Sequence, residues 1–513
     1  MKTDQTGSAE RPLETGKISR KGTIPFAASL VLLIGGLVFF ACYAGLYPQL
    51  VNDEVFFNFP AISLLKGHGF FCPVSSQAPY AKTLWAYHAP FFPHLQVLTF
   101  RLFGISQQVS RLPNLVGGYS AACLMAYLLM RQRYVVAPLI FALVWLGDRG
   151  QQELQTARMD GIALLLVVIG FMMLNRFYVE PNLRIAFCVA LFTASAMGFH
   201  PVAGPFLAVS AIVLFTIACK RKCLLQSLIG YGCGFLPVAI AVLFLVQFHP
   251  IEALRQFRWW FHIVTHSATI DGKWDDLVGS IRWSKWFLFA LAGFTLLVAL
   301  PIACIELRKL RRRPIAPGSF FKLSLALFSL AGLACLISKA VYPYYIIYFS
   351  LWPIALLASE AEQLLLRKRP QILAIAVAAI LFLAWLPSAA WNTLRMKEEV
   401  VSRRQLAHGY ILAQLKQSVP ANARVSGDPF VYMLAEEADL DFIPVPWLAH
   451  SAPADRVPIP PDEWLLLSED EYTSPTYFFA SDVRSRSVSF CENAFPGAKK
   501  LDFDVCLLRP VGK

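Results

Sequence analysis

Along the first 390 residues, apolar runs of bilayer length alternate with short polar or basic breaks, and the alternation stops near Trp391. A helix rises about 1.5 Å per residue and a bilayer core is about 30 Å thick, so apolar runs approaching 20 residues predict membrane spans. About eleven can be marked, at 23–47, 109–130, 134–147, 160–175, 185–199, 202–219, 225–248, 286–305, 319–337, 346–358 and 371–388, several of them short. Two further apolar segments, 55–65 and 91–103, are interrupted by or begin beside Pro60, Pro90 and Pro93. They are too short to cross and too apolar to leave the membrane, which predicts helices lying in its interface. Beyond Trp391, alternating runs at 423–426, 464–468 and 505–508 sit between proline-rich turns and predict a small α/β domain.

Composition closes off most other classes. Hydrophobic residues make up 57% of the 513 and charged ones 15%, with a mean hydropathy of +0.53. A soluble enzyme of that make-up would expose large apolar patches, so the chain is expected to be an α-helical polytopic membrane protein. The net charge of +13 does not signal nucleic acid, because the basic residues fall in short clusters between spans. If Lys17, Arg20 and Lys21 are cytoplasmic, the same side receives Arg131, Arg133, the cluster 220–222, the cluster 308–313 and the cluster 367–369. That positive-inside assignment predicts a cytoplasmic tail at 1–22, a transmembrane domain at 23–390 and an extracytoplasmic domain at 391–513. It also gathers the loops 48–108, 148–160 and 249–285, the turn at His200-Pro201 and the hairpin 338–345 on the outer face.

The unusual polar residues occupy those outer loops. Asp53 and Glu54 are adjacent carboxylates placed where the first span ends, and negative charge at a helix C-terminus has the wrong sign for the dipole, which favours a functional reading. Arg158 and Asp160 precede another span and either serve a substrate or neutralise one another at the membrane border. His200 is a ligand candidate or a turn signal, and Lys339 with Tyr344 and Tyr345 is a binding cluster or an interfacial aromatic belt. Asp428, Glu436, Glu437, Asp439 and Asp441 read as a solvated acidic surface in preference to a metal site, because their spacing matches no ligand motif. Cys491 and Cys506 flank Pro496-Gly497, as a hairpin closed by a disulfide would require. No P-loop, dinucleotide fingerprint, HExxH or supported GxSxG is present. Acids and cations converging on one membrane face suit a lipid-borne sugar phosphate, whose phosphate calls for cations and whose hydroxyls call for carboxylates. A transporter or flippase and a non-catalytic assembly subunit remain as alternatives.

One order of motifs carries a resemblance. Asp53-Glu54, Gly67 and Gly69, Tyr87-His88-Ala89-Pro90, Leu102-Phe103-Gly104, Ser110-Arg111-Leu112-Pro113, Ala157-Arg158-Met159-Asp160-Gly161, and Ser338-Lys339 with Tyr344-Tyr345 and Pro353 occur in sequence. This resembles membrane glycosyltransferases of the GT-C fold, in the branch of protein O-mannosyltransferase-like and lipid A aminoarabinose transferases. It departs from their pattern at Ala89 and at Gly198-Phe199-His200-Pro201. The resemblance implies inverting transfer of a sugar from a polyprenyl-phosphate donor to a lipid, glycan or protein acceptor at the outer face of the cytoplasmic membrane. It implies Asp53 as the catalytic base. Glu54, His88, Arg158, Asp160, His200, Lys339, Tyr344 and Tyr345 are then expected to bind substrate. No cofactor is expected, although three acids near one another would admit a divalent metal.

Overall fold

The computed structural model describes residues 20–44, 52–70, 84–85, 89–266, 285–337, 345–365, 382–390, 404–428, 431–444, 460–468, 483–491 and 505–511, with residues 379, 393, 394 and 397. Side chains in a few of these positions, Asp53 among them, lie outside the description, as do the whole of His88, Lys339 and Tyr344. The chain is a helical bundle with a small sheet domain set on one end.

The first helix, α1 (Arg20–Tyr43), leads into two short helices, α2 (Asn52–Leu65) and α3 (Phe91–Phe103), which coincide with the expected interfacial segments. Positive φ values explain the motif glycines that follow them. Gly67 (φ 80°) turns the chain after α2, and Gly104 (φ 84°) ends α3 by donating its N–H to the Phe100 carbonyl at 2.9 Å. The bundle continues with α4 (Gln107–Arg131), α5 (Ala137–Leu146), the short α6 (Arg149–Glu153), α7 (Asp160–Val179), α8 (Leu183–Phe199), α9 (Gly204–Lys220), α10 (Leu224–Leu245) and α11 (Pro250–His266). Then come α12 (Lys285–Arg312), which contains a π-helical turn at Thr295–Ala299, α13 (Pro317–Ile337) and α14 (Ile346–Leu365). Seven helices among the described residues are long and apolar enough to cross a membrane, and the apolar helices at 137–146 and 183–199 are shorter. The chain is a multi-pass membrane protein.

Close crossings use residues without side chains. A Cβ on Gly161 of α7 would lie 2.0 Å from the Asn114 carbonyl of α4, and one on Gly117 would lie 2.5 Å from the Ile162 nitrogen. Gly230 and Gly234 of α10 bring that helix equally close to the Leu183 and Phe187 carbonyls of α8. Inside lipid, where apolar surface gives helices no reason to prefer one another, such backbone contact supplies the dispersion attraction that holds them.

The sheet domain begins at α15 (Arg404–Ser418) and carries a short helix, α16 (Tyr432–Glu437). Its five strands are β1 (Arg424–Gly427), β2 (Asp441–Pro444), β3 (Trp464–Ser468), β4 (Val488–Cys491) and β5 (Val505–Leu508), in the order β2-β1-β3-β5-β4. The β1 pairings are parallel and the β5 pairings antiparallel. Ile411, Leu415, Val425, Leu466 and Leu507 form its core. Cys506 is disulfide-bonded and stands directly across the β4–β5 ladder from Cys491.

The acidic patch is the expected solvated surface only in part, since Asp439 and Asp441 are exposed while the other three acids are not. Asp428 is fully buried, Glu436 pairs with Lys66 of the loop after α2 at 2.7 Å, and Glu437 accepts the Gln107 N–H at the start of α4 at 2.7 Å. Tyr432 stacks on Phe59 of α2, with ring centroids 4.2 Å apart and planes 19° apart. Glutamates spaced for a helix surface thus dock the domain, Glu437 doing so where the α4 dipole favours an anion.

Two measurements check this packing. Gly161→Ala is expected to lower the thermal unfolding midpoint in detergent by the equivalent of about 2 kcal/mol or more, since α4 and α7 must separate, while Gly204→Ala, which meets open space, leaves it unchanged. In protein from native membranes, thiols at 491 and 506 are expected to resist alkylation until reductant is added, and losing the bridge costs about 3 kcal/mol for a loop near 15 residues.

Candidate active site

The site forms where α2, the start of α4, the 147–160 segment, the His200 turn and the start of α14 meet. Its foundation is Glu54, fully buried in the first turn of α2. Arg111 of α4 approaches it side-on, Nε to Oε1 and Nη2 to Oε2, both at 2.7 Å. The guanidinium also donates from Nη1 to the Ala44 carbonyl at the end of α1 (2.7 Å), and Glu54 Oε1 accepts the Ala157 N–H (2.6 Å). One fork-to-fork pair therefore joins four segments. The arrangement corrects one expectation. The acids open α2 instead of closing α1, so the dipole favours them there. Glu54 has both oxygens engaged by protein donors.

Asn114, one turn past Arg111, secures the same segment. Its Nδ2 donates to the Glu153 and Thr156 carbonyls (3.2 and 2.9 Å), and its Oδ1 accepts the Gly161 N–H (2.5 Å). Arg158 and Asp160 are thereby held in a fixed loop and pair through Nε and Oδ2 at 2.8 Å, both buried. They neutralise one another as the plainer of the two readings anticipated, yet the pairing is incomplete. Asp160 Oδ1 is buried without a hydrogen-bond partner, and so are Tyr348 Oη, Ser350 Oγ and Gln155 Nε2. His200 ends α8 and its Nδ1 accepts the Val202 N–H at 3.1 Å. Its ring lies 5.6 Å from that of Tyr345 and 6.0 Å from that of Tyr348. The Phe57 ring of α2 packs 5.8 Å from the Arg158 guanidinium carbon. Nearby on α3, burial pushes His94 below its usual pKa, outweighing the Pro90 carbonyl to which its Nδ1–H donates.

Of the expected site residues, Glu54, Arg158, Asp160, His200 and Tyr345 are gathered at this end of the bundle, and Asp53 adjoins Glu54 in α2. His88, Lys339 and Tyr344 lie outside the described residues. Arg111, Asn114, Gln155, Tyr348 and Ser350 were not anticipated as site residues. Arg111 and Asn114 had a signal, being polar groups one turn apart inside an apolar span; Tyr348 had one in its three-residue spacing from Tyr345. No group of three His, Cys, Asp or Glu side chains converges among the described residues.

No protein-family model and no curated protein sequence matches this chain. Solved structures do. The crystal structure of ArnT from Cupriavidus metallidurans bound to undecaprenyl phosphate aligns over 95% of this chain and 98% of its own, with 14% identity and a TM-score of 0.55. Its apo form aligns over 94% and 98%, also at 14% identity, with a TM-score of 0.51. The arabinosyltransferase EmbB from Mycobacterium smegmatis overlaps 76% of this chain and 43% of its own, at 15% identity and a TM-score of 0.43. From the two ArnT structures, the chain has the fold of the GT-C membrane glycosyltransferases.

The buried pair sets a test. Arg111→Ala leaves Glu54 charged and unmatched and is expected to cost about 3–5 kcal/mol of stability. Glu54→Gln with Arg111→Met should cost less than the sum of the two single changes, read as a double-mutant cycle of unfolding midpoints; additive costs would show that the pair is uncoupled.

Proposed function

We propose that this chain is a membrane glycosyltransferase that moves a sugar from a polyprenyl-phosphate donor to an acceptor hydroxyl or amine, with inversion, on the outer face of the cytoplasmic membrane. The observation that carries this reading is the buried Arg158–Asp160 pair with the buried Tyr348 beside it, where Asp160 Oδ1 and Tyr348 Oη face one another without a well-formed hydrogen bond and Ser350 Oγ and Gln155 Nε2 at the same end of the bundle are also buried and unpartnered. Buried polar groups are ordinarily satisfied, so unpartnered ones in a cluster call for a polar ligand. A sugar phosphate has the matching hydroxyls and charge. The ArnT structure with undecaprenyl phosphate adds support from a protein of the same fold.

The chemistry follows from what must change during transfer. The C1–O bond to phosphate breaks and the leaving group departs as an anion, so cations at Arg158, His88 and Lys339 stabilise it without a general acid. The acceptor attacks the opposite face of the sugar and must lose a proton, which Asp53 takes. Asp160, half-neutralised by Arg158, and the Tyr348 hydroxyl orient sugar hydroxyls, while His200 and Tyr345 wall the chamber. Glu54 holds α2, the helix to which Asp53 belongs, against the 147–160 segment. The nature of the sugar and of the acceptor is set by groups lining the chamber mouth.

Reconstituted protein given lipid-linked sugars is expected to release free polyprenyl phosphate. Asp53→Asn should lower turnover by about 10²- to 10⁴-fold, the usual worth of a positioned base, and leave donor affinity nearly unchanged. Normal turnover in that variant would move the base elsewhere, and absence of release from any lipid-linked sugar would remove the reading.

A further inference from the structure

At the end of the bundle away from the candidate active site, α4 hands over to α5 and α12 to α13, and α14 ends. These turns surround a cavity of about 630 Å³. One wall is apolar, formed by Ile302 and Ile305 of α12; Ile305 is half exposed, as is Leu300 earlier in that helix, and Leu297 is largely exposed. The remaining walls are charged and include Arg133, Glu306, Lys322 and Glu360. Their pairing is uneven. Glu362 closes the start of α5 by accepting the N–H groups of Val135, Val136 and Ala137, at 2.7–2.8 Å. Lys322 joins Glu360 (2.7 Å) and Gln363 (2.8 Å). Glu306 Oε1 meets Lys309 at 2.6 Å, but Glu306 Oε2 is buried with no hydrogen-bond partner. Arg133, at φ 66° and exposed at the cavity mouth, makes no ion pair among the described residues.

The chamber thus presents a carboxylate oxygen lacking a donor and a guanidinium lacking an anion, beside an apolar lip at the depth where membrane helices end. We propose that it binds the headgroup of a zwitterionic aminophospholipid, with the ammonium on Glu306 Oε2, the phosphate on Arg133 and the acyl chains leaving past Ile302 and Ile305. A buried carboxylate oxygen asks for a cation that can donate hydrogen bonds. Phosphatidylglycerol brings phosphate but no cation, and phosphatidylcholine brings a cation with no N–H. A bare metal ion is a poor occupant, because the acids here include no group of three ligating side chains. Dispersed basic residues on the neighbouring helix ends would attract anionic lipid generally, so selectivity for an ammonium-bearing headgroup is what distinguishes a built site.

The test uses the full chain, delipidated in detergent and supplied with phosphatidylethanolamine, phosphatidylglycerol or phosphatidylcholine at equal mole fraction. Phosphatidylethanolamine is expected to raise the unfolding midpoint by about 2 °C more than either other lipid. It should also survive into native mass spectra about 10-fold more often. Glu306→Gln should abolish the preference and leave the lipid-free midpoint where it was. Equal retention of the three lipids, retention favouring phosphatidylglycerol, an unchanged preference in Glu306→Gln, or equal protection by soluble phosphoethanolamine would each overturn the assignment to a bound lipid.

Discussion

The buried pair of Glu54 and Arg111 is the constraint on which the candidate site depends. Removing two charges from water costs several kcal/mol for each, and only complete mutual hydrogen bonding offsets that cost. Here the offset involves four separate segments, because the guanidinium reaches the end of α1 and the carboxylate reaches the Ala157 amide. The loop carrying Arg158 and Asp160 therefore has its position dictated by a pair lying outside the chamber. Asn114 repeats the arrangement one turn further along α4, with a neutral amide in place of a charge.

Within the chamber the opposite rule applies. Glu54 and Arg111 are matched to protein donors and acceptors, whereas beside Arg158 the buried Asp160 Oδ1 and Tyr348 Oη are left with capacity to spare. A protein that fully satisfied Asp160 and Tyr348 internally would be more stable and would have less to offer a polar ligand. The difference between the two pairs is not one of residue type, since each contains an acid and a cation.

Much of this was legible in the amino-acid order. The interfacial helices at 55–65 and 91–103 declared themselves by being apolar, short and proline-marked, and the strands at 464–468 and 505–508 by their alternation. What stayed hidden were relations between distant positions. Periodicity alone does not reveal that the negative charge of Glu54 begins a helix instead of ending one; the stop signals that could have shown it are Gly45 and Pro48, just past the end of α1. Nor can it reveal that Glu437 meets an N–H at the start of α4, 330 positions away in sequence. An acidic run on a short helix looks like a solvated face until the partner surface is known. Ser350 was concealed for another reason, being a small polar group inside an apolar run whose burial only the packed bundle reveals.

The docking of α16 has a mechanical meaning. The sheet domain grips the membrane bundle at Lys66, at Phe59 and at the Gln107 N–H that opens α4, and Arg111 follows Gln107 by a single helical turn. A tug on the sheet domain would be transmitted along one turn of stiff helix to the Glu54–Arg111 pair. The sheet domain is in this sense a handle, and its leverage falls on the most tightly bonded joint of the chamber.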